Sequence, residues 1–170
     1  PSRHAMPAAQ FIPIAEKSGM TVTPGEQVLY CACLQSVEWN RSTVGPVRIA
    51  VNISPHQLHH PRFVDRTNEI LRETGARPEF IELEITENAV MTDVTHSLRT
   101  MDELVELGLN LAIDDFGSGH SSLSHLKFLN IQSLKIDRTF INDLLENKRS
   151  QAIVHSIIHL GRGCGLQVVA

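Results

Sequence analysis

The sequence has little of several features that mark specialised protein classes. Its three cysteines are an odd number without a C-x-x-C pair, so they provide neither a disulfide framework nor a zinc knuckle and indicate a reducing compartment. The single Trp and single Tyr leave no base-stacking platform. A net charge of −4 gives no basic face for a polyanion. We therefore expect no DNA or RNA polymer as a partner.

Long apolar runs are also absent. No stretch approaches the roughly 18 apolar residues of a spanning helix, and no apolar core follows the first residues as in a signal peptide. The 170 residues, 42% of them hydrophobic and 20% charged, predict one globular domain. We expect a cytoplasmic protein, in which any membrane anchor belongs to other domains of a longer parent chain.

Short apolar strands alternate with amphipathic helices along the chain. The predicted strands cover residues 47–53, 80–86, 109–116, 134–137 and 166–170. The predicted helices cover residues 23–40, 63–74, 97–107, 122–129 and 149–160. Ser54-Pro55 is a helix start, Gly75 and Gly108 end helices, and the glycines at 161, 163 and 165 end the last one. This alternation predicts an α/β fold with parallel strands.

The predicted strands have one aliphatic face and one small or polar face, which is unusual for a parallel sheet covered by helices on both sides. A TIM-like (β/α)8 barrel explains the pattern, because the aliphatic face then meets the helices and the other face points inward. Polar side chains of the inner face lie near the carboxyl ends of four strands: Asn52, Glu84, Asp114 and Lys135. Barrel enzymes keep their active sites at that end.

The acidic residues of this set favour a metal site. The carboxylates of Glu84, Asp114 and Asp115 with the amide of Asn52 form an all-oxygen donor set, which suits Mg²⁺ or Mn²⁺ rather than zinc. The adjacent aspartates suit two ions, the usual device for hydrolysing a phosphodiester. Lys135 would then neutralise phosphate charge or position the water.

Two other interpretations of these residues stay open. Lys135 could pair with an aspartate in an interior salt-bridge network, or the site could belong to another magnesium-dependent barrel enzyme, such as one that stabilises an enolate. Glu82, one layer below Glu84, is predicted to pair with Arg48 or Asn110.

Two further patterns are weaker evidence for a functional site. The loop that starts at Phe116-Gly117 could bring backbone amides to phosphate, although on its own the pattern favours a plain β-α turn. His155 and His159 have metal-ligand spacing on a helix, but without an intervening glutamate they predict an ordinary helix surface.

A set of motifs in order identifies a family resemblance. The motifs are F-I-P-I-A-E-K-S-G-M at 11–20, N-I-S-P at 52–55, E-I-T-E at 84–87, D-D-F-G-S-G-H-S-S-L at 114–123 and L-K-I-D at 134–137. Together they resemble the EAL-type cyclic di-GMP phosphodiesterases, bacterial signalling domains with a (β/α)8-type barrel. The resemblance implies metal-dependent hydrolysis of cyclic di-GMP to linear pGpG.

The resemblance also implies roles for single residues. Asn52, Glu84 and Asp114 would bind the first Mg²⁺ or Mn²⁺ ion, and Asp114 with Asp115 would reach a second. Lys135 would lie near the attacking water and the scissile phosphate. Glu87 would anchor the loop after Asp115, a role compatible with a carboxylate at a helix start. Residues that bind the nucleotide itself are not assigned. The resemblance further implies a homodimer and sensor or diguanylate-cyclase-type domains in the full-length protein.

Two features of the family do not occur in the chain. No E-A-L stands anywhere, and the chain ends at Ala170 before the position of a catalytic glutamate in a Glu-Gly-Val-Glu stretch. With five strands in 170 residues, we expect residues 1–170 to be a partial EAL domain lacking its first strands and last β-α units. We expect the isolated chain to be inactive. The alternative function is a non-catalytic cyclic di-GMP receptor or regulatory dimerisation module.

Overall fold

The computed structural model describes residues 22–41, 45–117 and 126–170. Its strands are β1 (Ile49–Ile53), β2 (Ile81–Thr86), β3 (Asn110–Phe116), β4 (Ser133–Ile136) and β5 (Gln167–Val169). Its α-helices are α1 (Val22–Arg41), α2 (Pro55–Leu58), α3 (Phe63–Thr74), α4 (Glu87–Thr92), α5 (Val94–Glu106), α6 (Arg138–Asn142) and α7 (Lys148–Gly163). A 3₁₀ turn covers Pro78–Phe80.

The five strands form one parallel sheet in the order β1-β2-β3-β4-β5. Sequential order without reversal is the arrangement of a (β/α) barrel wall, whereas doubly wound sheets reverse direction at a switch point. This confirms the predicted α/β fold of the barrel type. In the described part of the chain β1 and β5 are the two edges of the sheet, so the barrel is not closed.

The aliphatic face of the sheet packs against the helices, as the alternation predicts. Ile81, Leu83 and Ile85 of β2 are completely buried, and Leu111 and Ile113 of β3 are buried beside them. The helices supply their own apolar side chains to the same core: Leu29, Cys33, Ile70, Met101 and Leu104. This core fixes the strands, and the strands fix the direction in which the polar face points.

Local signals set several helix ends. The Ser54 hydroxyl accepts a hydrogen bond from the Gln57 N–H at 3.3 Å, which caps α2 as Ser54-Pro55 predicts. The helix α3 has the predicted bounds and ends at Gly75, whose φ of 69° is left-handed. The helices α4 and α6 are missing from the prediction because each is about one turn long. Their caps, Thr86 and Asp137, are visible in the sequence.

Some predicted boundaries are wrong. The strand β1 begins at Ile49 rather than at residue 47, and α5 begins at Val94 because Asp93 caps it. Of the predicted helix over 122–129, residues 122–125 lie outside the described residues, and the described part is helical only at Leu126 and turns at residues 127 and 128. The helix α7 continues through Gly161 and Gly163, which were predicted to end it, and stops before Gly165.

Gly161 has a packing role instead of a terminating one. A Cβ atom built there would lie 2.4 Å from Cγ2 of Val168, so only glycine lets α7 approach β5 this closely. None of the described helices is both long enough and apolar enough to span a membrane.

Candidate functional site

The strands β1 and β2 place Asn52 and Glu84 side by side. The two residues are partners in the parallel ladder, so their side chains point to the same face of the sheet. Asn52 lies on the edge strand and is exposed, whereas Glu84 is only 6% exposed. Burial of a carboxylate costs free energy unless a cation or hydrogen bonds compensate. Glu84 therefore requires a positive partner.

Lys135 is that partner in this structure. Its Nζ atom forms an ion pair and hydrogen bond with Oε1 of Glu84, reaching across β3 from β4. The residue of β3 at the level of Glu84 is Ala112, whose methyl group leaves the space that the lysine side chain crosses. Lys135 thus takes part in an interior salt bridge, as the alternative interpretation predicts, but with a glutamate instead of an aspartate.

Glu82 forms a second layer beneath this ion pair. Its Oε2 atom lies 3.4 Å from the Arg48 guanidinium and accepts a hydrogen bond from the Ser133 hydroxyl at 3.1 Å. Arg48 is the partner that the sequence predicts. Asn110, the other predicted partner, instead donates to the Glu79 carbonyl at 2.9 Å. This layer links β1, β2 and β4 below the proposed metal ligands.

The two adjacent aspartates lie at an irregularity of β3. The β3–β4 register is shifted between Ile113 and Phe116, so β3 has one extra residue opposite β4 there. Asp115 has a φ of 53°, a left-handed conformation that aspartate tolerates better than most residues. Its N–H donates to Oδ1 of Asp114 at 3.0 Å. Asp114 lies in the ladder beside Thr86, one layer beyond Glu84.

Negative charge accumulates around Asp115. Partial desolvation, and then the charges of Asp114 and Asp137, raise the pKa of Asp115 above its ordinary value, while Arg138 opposes the rise. Asp137 is 7% exposed and caps α6 by accepting from the Thr139 N–H at 2.7 Å. Asp137 is not among the site residues that the sequence predicts. Its position two residues after Lys135 places it on the same face of the strand, and this spacing could have indicated that Asp137 lies near the site.

Glu87 occupies the first turn of α4 and contacts the segment after the aspartates. It is 3% exposed, and its Oε2 atom accepts a hydrogen bond from the Gly117 N–H at 3.1 Å. This bond joins α4 to the start of the loop that follows β3. The geometry is compatible with loop anchoring, which stays a prediction.

The predicted metal ligands share one face but do not form a compact cage. Within the described residues, no three His, Cys, Asp or Glu side chains converge around a common point for a metal. Glu84 is engaged by Lys135, and Asp114 lies one layer away from it. The donor chemistry nevertheless fits Mg²⁺ or Mn²⁺, because the side chains of Asn52, Glu84, Asp114 and Asp115 are all oxygen donors. The predicted motif at 11–20 and the loop after Gly117 lie outside the described residues.

The fold and the site together define a class of protein. The sheet has barrel order, and a buried glutamate, an amide, two adjacent aspartates and a lysine lie near the carboxyl ends of neighbouring strands. That is the position of the active site in α/β barrel enzymes. The family model of the EAL domain matches residues 1–170. The chain belongs to the EAL domain family.

Two relatives from Pseudomonas aeruginosa match the full length of the chain. The bifunctional diguanylate cyclase/cyclic di-GMP phosphodiesterase MucR is 41% identical over 170 residues, and the cyclic di-GMP phosphodiesterase NbdA is 35% identical over 170 residues. The chain spans 25% of the length of MucR and 22% of that of NbdA.

A solved structure agrees with the fold in detail. The PaMucR phosphodiesterase in complex with c-di-GMP superimposes with a TM-score of 0.94 at 40% sequence identity. The match covers 99% of this chain and 68% of that one. The parallel sheet described above is therefore the barrel wall of an EAL domain.

Proposed function

We propose that the chain is part of an EAL domain that hydrolyses one phosphodiester bond of cyclic di-GMP to give linear pGpG. The substrate is taken from MucR and NbdA, which are cyclic di-GMP phosphodiesterases, and from the nucleotide complex of PaMucR. The observation that carries the proposal is the row of oxygen donors at the carboxyl ends of β1, β2 and β3. Residues 1–170 would form the central part of the domain.

The proposed cofactor is a pair of Mg²⁺ or Mn²⁺ ions. Asn52, Glu84 and Asp114 would hold one ion, and Asp114 with Asp115 the second. Two divalent ions supply an activated water and stabilise the negative charge of a phosphodiester during in-line displacement. The bulge in β3 supports this assignment, because it interrupts the alternation that sends consecutive side chains of a regular strand to opposite faces of the sheet.

Lys135 would have two tasks. Without a metal, its ammonium compensates the buried Glu84. With substrate bound, the same positive charge would help to neutralise the phosphate and position the water. Glu87 would keep the start of the loop after β3 in place through the Gly117 N–H. Strands would thus hold the reacting groups, and a partly buried hydrogen bond would hold the adjacent loop.

The test is hydrolysis of cyclic di-GMP by the whole protein to which this chain belongs, with Asp114→Asn as the variant. We expect turnover to fall at least about 100-fold, because the change removes a charge from a metal ligand without altering its size. Asp102→Asn is the matched control, since Asp102 is exposed on α5 away from the sheet. Full activity in Asp114→Asn would reject the metal assignment.

One observation favours a second candidate function, a non-catalytic cyclic di-GMP receptor or regulatory module. Nζ of Lys135 pairs with Oε1 of Glu84, so this proposed metal ligand also has a structural role as the partner of the lysine. Calorimetry with and without magnesium distinguishes the two functions. Nucleotide binding that is independent of magnesium and yields no pGpG would support the receptor.

The cellular setting is proposed on the same basis. MucR combines its phosphodiesterase with a diguanylate cyclase, and the chain accounts for a quarter of it, so we propose sensor or cyclase-type domains in the parent protein. We further propose a homodimer, for which the exposed Phe128 ring provides an apolar contact surface, and a cytoplasmic location. Size-exclusion chromatography with light scattering of the whole protein tests the dimer.

A further inference from the structure

Two histidines from different elements meet on the side of the domain. His59 directly follows α2, and His96 lies in the first turn of α5. Their ring centroids are 5.6 Å apart, with the ring planes tilted by 33°. Neither residue belongs to the proposed active site, and neither is part of a motif noted above.

The hydrogen bonds of His59 fix which ring nitrogen carries the proton. Its Nδ1 atom lies 2.8 Å from the carbonyl oxygen of Pro55. A carbonyl can only accept, so Nδ1–H is the donor, and in the neutral ring Nε2 carries the lone pair. Nε2 then accepts from the Ser97 hydroxyl at 3.2 Å. Histidines that bind metals likewise donate one ring nitrogen to a backbone carbonyl, which orients the other nitrogen. In His59 a bound ion would take the place of the Ser97 hydroxyl at Nε2.

The spacing of the two rings fits a shared ion. A metal lies about 2.0–2.1 Å from a coordinating imidazole nitrogen, hence about 3.2 Å from the ring centroid. Two imidazoles around a tetrahedral ion then have centroids about 5.2 Å apart. The observed 5.6 Å differs from this by less than half an ångström.

We propose that His59 and His96 form a binding site for a divalent transition-metal ion of the kind that prefers imidazole: Zn²⁺, Ni²⁺ or Cu²⁺. The proposal is independent of the proposed phosphodiesterase activity. Among the described residues no third His, Cys, Asp or Glu joins the pair. Water would fill the remaining positions, next to the buried hydroxyls of Ser97 and Thr100, the latter 3.4 Å from His96 Nε2.

A bound ion would connect two parts of the domain. The helix α2 begins two residues after β1, the strand that carries Asn52, whereas α5 precedes β3. Asp93 already holds the start of α5 by accepting from the His96 N–H at 3.1 Å. An ion shared by His59 and His96 would add a cross-link between these segments and raise the melting temperature of the domain.

The pair His155 and His159 provides an internal comparison. These histidines are four residues apart on one exposed face of α7, the spacing of a helical chelate. Neither ring has a hydrogen-bond partner among the described residues that would orient it. The two pairs therefore differ in pre-organisation and in whether the ion joins separate elements.

The experiment is thermal unfolding of the whole protein to which this chain belongs, with and without NiCl₂, in a large excess of magnesium. Nickel is the probe because thiolates compete more strongly for zinc, and magnesium keeps the proposed carboxylate site occupied. The variants are His59→Gln, His96→Asn and the double change His155→Gln/His159→Gln. The metal-free melting temperature of each variant shows whether it folds.

We expect nickel to raise the melting temperature of the wild-type chain and of the α7 double variant. In His59→Gln and in His96→Asn, we expect at least tenfold more nickel to be needed for the same rise. The proposal is overturned if the wild-type chain shows no rise, if the rise disappears only in the α7 variant, or if both single variants respond like the wild type.

Discussion

Removal of the Lys135 charge tests how the buried Glu84 is stabilised. In Lys135→Met the side chain keeps its length and apolar stem, but Oε1 of Glu84 loses its cationic partner. Because the Glu84 side chain is 7% exposed, water cannot fully replace the ammonium. The folded state should therefore become less stable when no divalent cation is present.

The burial of the Lys135 and Glu84 side chains determines how much unfolding free energy Lys135→Met should lose. Breaking a fully buried ion pair by removing one partner costs about 3–5 kcal/mol, whereas an exposed pair contributes about 0–1 kcal/mol. Glu84 is buried but the Lys135 side chain is 26% exposed, so the pair is intermediate. We expect the free energy of unfolding of Lys135→Met to be about 2–3 kcal/mol lower than that of the wild type. For a domain of this size, this corresponds to a decrease of about 4–12 °C in melting temperature.

Urea unfolding in EDTA measures the change in the free energy of unfolding that Lys135→Met causes. Arg99→Met is the matched control, because it breaks an ion pair whose arginine is 82% exposed and should cost less than about 0.5 kcal/mol. The double change Lys135→Met/Glu84→Gln removes both charges and should be more stable than Lys135→Met alone. A loss in Lys135→Met no larger than that in Arg99→Met would refute the reasoning.

Two further predictions concern the surroundings of the site. Glu87→Ala removes the buried acceptor of the Gly117 N–H, so hydrogen exchange of that amide should accelerate at least about tenfold; unchanged exchange would show that this bond does not hold the loop. Burial raises the pKa of the Cys33 thiol to about 11 from an ordinary value of 9.0, and a hydrogen bond with Thr74 opposes the rise to a smaller extent. The neutral thiol is thus favoured in the folded state, whereas the unfolded chain loses this proton at lower pH. The free energy of unfolding should therefore be unaffected by this thiol below pH 9 and should fall by up to about 2–3 kcal/mol as the pH rises to 11. In the same urea titrations, the free energy of unfolding of Cys33→Ala should fall less at high pH than that of the wild type. An equal fall in the variant and in the wild type would contradict the burial argument.

The sequence predicts the sheet well because the strand signal is strong. Alternation of aliphatic and polar residues is strict from Ile81 to Ile85, and every predicted strand appears within two residues of its expected bounds at each end. Helix ends are less predictable. Gly161 resembles a stop signal in the sequence, yet it lies inside the helix, where a Cβ atom would clash with Val168. Only the folded chain reveals that Val168 is close to it.

In the site, too, features of a single strand are predictable from the sequence, whereas contacts between strands are not. Alternation places Asn52, Glu84 and Lys135 on one face, and the ladder between β1 and β2 agrees. The shift in register at Asp115 and the partner of Lys135 depend on how neighbouring strands align, which no single strand encodes. The contact between His59 and His96 is also a product of tertiary packing, since 36 positions separate them in the sequence.

The central claim is that the oxygen donors at the carboxyl ends of β1, β2 and β3 serve a metal-dependent phosphodiesterase. Its most direct test is chromatographic analysis of cyclic di-GMP incubated with the whole protein in magnesium and, separately, in EDTA. We predict that pGpG accumulates with magnesium and not with EDTA. Equal pGpG formation under both conditions, or nucleotide binding without any product, would contradict the claim.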